Sequence, residues 1–142
     1  MNVSDIRDEI QTRAETVTLV RAHDTVPGSV TPPPGGVSAV VVPGSPFEEY
    51  PALDDGVVDL NFTVMLLTGR ADEKSAQDNL DAFLNDSGAE SVRAALEAGH
   101  IANVWDYLAV TAVRRYGTYT FGSGADAVTY LGCDLAVTVG CS

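Results

Sequence analysis

121-FGSGADAVTYLG-132 sets Gly122, Gly124 and Ala127 in the spacing G-x-G-x-x-A, which also opens dinucleotide-binding folds. That spacing holds a phosphate only where a strand runs into it and a helix starts within it. The ligand then sits on free backbone N–H groups at the positive end of the helix dipole. Here the residues that follow alternate with a period of two. In 128-VTYLGCDLAVTV-139, Leu131, Cys133, Leu135, Val137 and Val139 fall on one side and Tyr130, Asp134 and Thr138 on the other. Period two is a half-buried strand, not a helix. Upstream, 118-TYTFG-122 is also strand-like, so 122-GSGADA-127 reads as the loop of a β-hairpin. The phosphate reading falls away with the helix it needs.

The strand signal continues upstream. Residues 104-VWDYLAVTAVRRYG-117 read as a long strand with Trp105, Tyr107, Ala109, Thr111 and Val113 on one side. Before it lie two helices. In 71-ADEKSAQDNLDAFLND-86, Ala76, Leu80, Phe83 and Leu84 form an apolar stripe, with Asp72 and Glu73 at the positive end. Ser87 and Glu90 form an S-x-x-E capping box for a helix running to Ala98, burying Val92, Ala95 and Leu96, with Gly99 placed to end it.

Earlier still, 57-VVDLNFTVMLL-67 alternates Val58, Leu60, Phe62, Val64 and Leu66 against Asp59, Asn61 and Thr63. The β-branched run 37-VSAVVV-42 suits a buried strand. Loops are expected at 27-PGSVTPPPGG-36 and at 43-PGSPFEEYPALDDG-56, since proline and glycine exclude helix and central strand. A short extended segment, 18-TLVRAH-23, follows an N-terminal helix over 4–17, in which Ser4 caps and Ile6, Ile10, Ala14 and Val17 share a stripe. The element order predicts a single α+β domain over 1–142 with extended loops at 27–36 and 43–56. Its mainly antiparallel sheet carries the N-terminal helix and two central helices packed on one face.

Composition narrows the function. With 20 acids against 8 Lys and Arg, the net charge is −12. Such a surface does not grip nucleic acid, whose affinity comes from phosphate neutralisation, but suits one that nucleic acid slides past. No apolar run approaches the length of a membrane span. The opening MNVSDIRDEIQTR has early acids and no apolar stretch of a secretory leader. Cys133 and Cys141 share a strand and stand about 26 Å apart at ~3.3 Å per residue. That predicts free thiols in a reducing compartment. A lone lysine, Lys74, against seven arginines suggests GC-rich coding.

Residue patterns for chemistry are sparse. His23 and His100 are isolated, and no C-x-x-C or H-x-x-x-H is present, so no metal is expected. The segment 36-GVSAV-40 lacks the second glycine of a nucleophile elbow. No catalytic group, metal or cofactor is assigned.

The most distinctive phrase is 114-RRYGTYTFG-122. Arg114 and Arg115, expected on opposite faces of a strand, lie beside Tyr116, Tyr119 and Phe121, and Arg and Tyr are enriched at interface hot spots. The acidic loop carries Phe47, Glu48, Glu49, Tyr50, Asp54 and Asp55. One reading joins the two patches on neighbouring copies in a heterologous, ring-closing contact. The other is a hairpin whose aromatics cover the sheet edge.

These features, taken in order, resemble the tail terminator (tail-completion) proteins of long-tailed phages that infect actinobacterial hosts. The resemblance runs nearly end to end. It rests on 24-DTVPGSV-30, 43-PGSPFEEY-50, 70-RADEKSAQDNLDAFL-84, the S-x-x-E helix, 115-RYGTYTFGS-123 and 129-TYLGCDLAVTV-139; 31-TPPPGG-36 is richer in proline than the family leads one to expect. The resemblance implies a non-enzymatic virion protein, made in the host cytoplasm, that forms a hexameric ring on the head-proximal end of the tail tube. Its partners would be copies of itself, the tail tube protein and a head-closure or connector protein, with DNA passing through the ring and no membrane involved. Two alternatives stand beside it. One is another neck component, head-closure or head–tail connector. The other is a small cytosolic enzyme or ligand-binding domain, which predicts a convergent polar pocket.

Overall fold

The computed structural model describes residues 3–17, 20–23, 37–49, 58–70, 74–84, 91–97, 105, 107–121 and 128–141. In chain order these form α1 (Val3–Glu15), β1 (Val20–His23), β2 (Val37–Glu49), β3 (Val58–Arg70), α2 (Lys74–Phe83), α3 (Val92–Glu97), β4 (Tyr107–Phe121) and β5 (Val128–Cys141). The strands make one sheet, ordered β1-β2-β3-β5-β4. Every pairing is antiparallel except β1 with β2. The expected α+β architecture is the one observed.

The hairpin reading of 122–127 holds at both of its flanks: Phe121 pairs with Val128, and strand continues on each side. The parallel β1–β2 pair was not foreseen. It accounts for the long proline-rich connection at 24–36, because parallel neighbours need a crossover of a dozen or so residues. The structure of that connection lies outside the described residues.

Alternation placed the core correctly. Leu60, Phe62, Val64 and Leu66 of β3 and Cys133, Leu135, Val137 and Val139 of β5 are all buried on one face. Onto them pack Ile6, Ile10 and Ala14 of α1, Leu80 and Phe83 of α2, and Val92 and Leu96 of α3. At ~25 cal/mol per Å² this shared apolar burial is the main stabilising term. Inside it, Arg13 is bonded to Glu9 at 3.1 Å and lies over the ring of Trp105 at 4.9 Å, so its charge is matched although it is nearly buried.

Several expectations need correction. Helix α1 starts at Val3, so Ser4 lies within its first turn rather than ahead of it. Helix α3 is shorter than expected, and its cap is Ser91, whose Oγ accepts the Ala94 N–H at 3.0 Å. The proposed Ser87–Glu90 box lies outside the described residues. The segment 43–49 is not loop but the end of β2. Its ladder breaks between Pro43, opposite Phe62, and Glu48, opposite Leu60, where prolines 43 and 46 have no N–H to give. The two runs 104–117 and 118–122 are one strand, β4, interrupted twice.

Candidate functional site

The two interruptions of β4 create the site. Val110 and Ala112 pair with Val137 and Ala136, leaving Thr111 as an extra residue. Arg114 then pairs with Asp134 and Gly117 with Gly132, so Arg115 and Tyr116 together face Cys133. Each bulge shifts the alternation by one. The first sends Tyr107 and Val113 to different faces, against the expected single stripe. The second holds Arg115 at φ 55°, the only described non-glycine residue with positive φ.

The second bulge overturns the expectation that Arg114 and Arg115 point apart. Both stand on the face of the sheet away from the helices. Arg115 lies 4.8 Å above the Tyr119 ring and 3.6 Å from Asp134 Oδ2. Arg114 lines a groove with Asn61, Thr63 and Thr138 on that same face. Tyr116 goes the other way, and its hydroxyl donates to Asp81 Oδ1 of α2 at 2.6 Å. The aromatic cluster is therefore divided between two surfaces.

The face opposite the helices has its own organisation. At one end Val40, Leu67, Tyr119 and Tyr130 form a second small core with Val42 and Met65 against it, and no described helix contributes. Tyr119 is 5% exposed and its hydroxyl donates to Asp134 Oδ1 at 2.6 Å. Burial, then the Asp134 bond, raise its phenol far above the ordinary value. Tyr119 is thus a foundation for Arg115 rather than a contact residue. Gly132 is required here, since a Cβ would lie 2.5 Å from the Leu66 carbonyl oxygen.

Toward the other end the groove, about 270 Å³ in volume, runs from Gly44 and Glu49 past Asn61, Thr63, Thr138 and Thr111 to Arg114. Asn61 organises it, donating to Glu49 Oε1 and accepting from Thr138 at 2.9 Å. Beyond Asn61, Tyr107 covers Gly140, where a Cβ would strike its ring, and donates to Asp59 at 2.6 Å. Arg114 forms no ion pair with any described residue. The arrangement offers a cation at one end, a carboxylate at the other, and hydroxyls and an amide between.

The remaining expected contact residues are dispersed. Glu48 and Glu49 are exposed on β2. Phe47 packs edge-on against Phe62 at 5.2 Å and belongs to the margin of the main core. Phe121 ends β4, and Tyr50, Asp54 and Asp55 lie outside the described residues. On the helix side, a cavity of about 200 Å³ lies between Phe83, Leu84, Arg93 and residues 110–113 of β4. There Glu97, held by Arg93 at 3.0 Å, accepts the Val110 N–H at 3.3 Å.

Reactive groups do not converge. Burial, reinforced by Asp134, pushes the Cys133 thiol up to about 12, away from the thiolate a nucleophile needs. Among the described residues no three metal-ligating side chains cluster, and no helix is long and apolar enough to span a membrane.

The sequence pattern carried a signal for the groove, since Asn61, Thr63, Asp134 and Thr138 all fall on the polar side of their strands. It did not carry the register that sets Asn61 opposite Thr138 and Thr63 opposite Ala136. No protein-family model matches the chain, and no curated protein matches it.

Proposed function

We propose that the chain is the ring-forming terminator subunit of a phage tail, ending tube growth and joining the tail to the head connector. One observation carries the reading beyond the resemblance. Arg114 and Arg115 stand on edge strand β4, whereas Glu48 and Glu49 stand on β2, three strands away. The arginine pair and the acid pair thus stand well apart in the sheet, which suits head-to-tail contacts that close into a ring. The net charge of −12 keeps the surface from gripping DNA in transit.

The test is reversal of the patch. Arg114→Glu with Arg115→Glu is expected to abolish rings on tail tubes in electron micrographs while leaving the melting temperature within a few degrees of the parent, because both side chains are exposed. Intact rings from the double variant would remove the patch from the contact.

A ligand-binding domain has one observation in its favour, the polar groove itself. It predicts saturable binding of a small charged molecule by the isolated chain, with Arg114→Ala abolishing it.

A further inference from the structure

We propose that the face opposite the helices is also a self-association surface, on which two free subunits meet face to face about a two-fold axis. This goes beyond the ring, since it concerns the subunit before it reaches a tail.

A ring contact needs only that opposite charges lie on different flanks. Here they also lie on one face, at opposite ends of one groove: Arg114 at the β4 end, Glu49 at the β2 end. Arg114 and Glu49 are both exposed. A face with one positive and one negative pole is complementary to a copy of itself. A two-fold axis lying between the sheets, perpendicular to the line joining the poles, sets each Arg114 against the other copy's Glu49. Such a contact is isologous, so its two charge pairs form together.

The middle of the face permits close approach. Thr63 and Ala136, paired across β3 and β5, lie between the poles and carry short side chains. Tyr107, 46% exposed above Gly140, adds an aromatic surface of the kind enriched at contacts.

Size sets the strength. Four strands at ~4.8 Å spacing and some six residues at ~3.3 Å give roughly 400 Å² per copy. This is about half of what each partner of a stable complex contributes. The dimer is therefore weak and promoted by protein concentration, at a moderate salt that screens the repulsion between two subunits of net charge −12 while their close charge pairs persist. It occupies the same arginines that the ring requires, so docking on a tail and pairing in solution exclude each other.

The axis gives the test. Residues on a two-fold axis meet their own copies, whereas a head-to-tail contact sets no residue against itself. In a full-length chain with Cys141→Ser, Thr63→Cys is oxidised mildly at moderate salt without tail tubes. Asp78→Cys, on the exposed side of α2, serves as control. Disulfide-linked dimer is expected about tenfold faster from Thr63→Cys than from the control, through the raised local concentration of the pair. Arg114→Glu should return the rate to the control value, and adding Glu49→Arg to that chain should restore it. Equal rates for Thr63→Cys and the control would overturn the proposal, as would a rate indifferent to Arg114→Glu. Melting curves of each variant exclude unfolding as the cause. Because no tubes are present, failure here leaves the ring proposal untouched, and loss of tube capping leaves this one untouched.

Discussion

Arg115 holds a backbone conformation at φ 55° that costs an L-residue about 1–2 kcal/mol. Its side chain is 68% exposed, so its ion pair with Asp134 returns little of that. Arg115→Gly should therefore be about 1 kcal/mol more stable than Arg115→Ala in urea denaturation, although both lose the same pair. Equal stabilities would mean that the bulge relaxes. Tyr119 answers a different question. Its folded-state phenol is raised above the ordinary 10.0, by burial first and by Asp134 second. The folded form thus keeps its proton where the unfolded chain has lost it. The stability this group contributes is complete below about pH 10 and drains away as pH rises above that value. Tyr119→Phe should cost about 1 kcal/mol at pH 7 and flatten the alkaline fall in melting temperature. An unchanged alkaline slope would contradict the buried bond.

At the scale of elements, alternation and helical stripes made most of the fold legible. The buried faces of β3 and β5 and the stripe of α1 stand as their residues foretold, because period and polarity are local properties. What stayed hidden depends on partners. Nothing in 104-VWDYLAVTAVRRYG-117 announces a bulge: Thr111 and Arg115 are ordinary strand residues locally, and only the β5 register makes them extra. So the arginines came out on one face instead of two, whereas Tyr116 and Tyr119, three residues apart, stand on opposite faces as plain alternation sets them. Capping shows the same limit, with Ser87 and Ser91 equally plausible by type. Ser91→Ala should cost about 1 kcal/mol, read by denaturant midpoint, because it leaves the Ala94 N–H unbonded. No loss would show that α3 is held by packing alone. Gly132→Ala should cost more, about 2 kcal/mol, since the added methyl meets the backbone of the central strand β3 rather than a movable side chain.

For the whole molecule, the groove and its two poles became visible only once five strands were assembled. Its residues come from β2, β3, β4 and β5, and its two charged groups, Glu49 and Arg114, come from strands far apart in sequence. The same assembly gives a strongly acidic chain that sets two of its seven arginines, Arg114 and Arg115, next to each other on edge strand β4. A ring-forming terminator binds at one place only, the end of the tube. Purified chain should be mixed with tail tubes, bound mass followed by light scattering, and its position found by gold labelling. The account predicts saturation at one ring of subunits per tube, confined to a single end. Binding along the tube walls, or a chain that ignores tubes at every concentration, would contradict it.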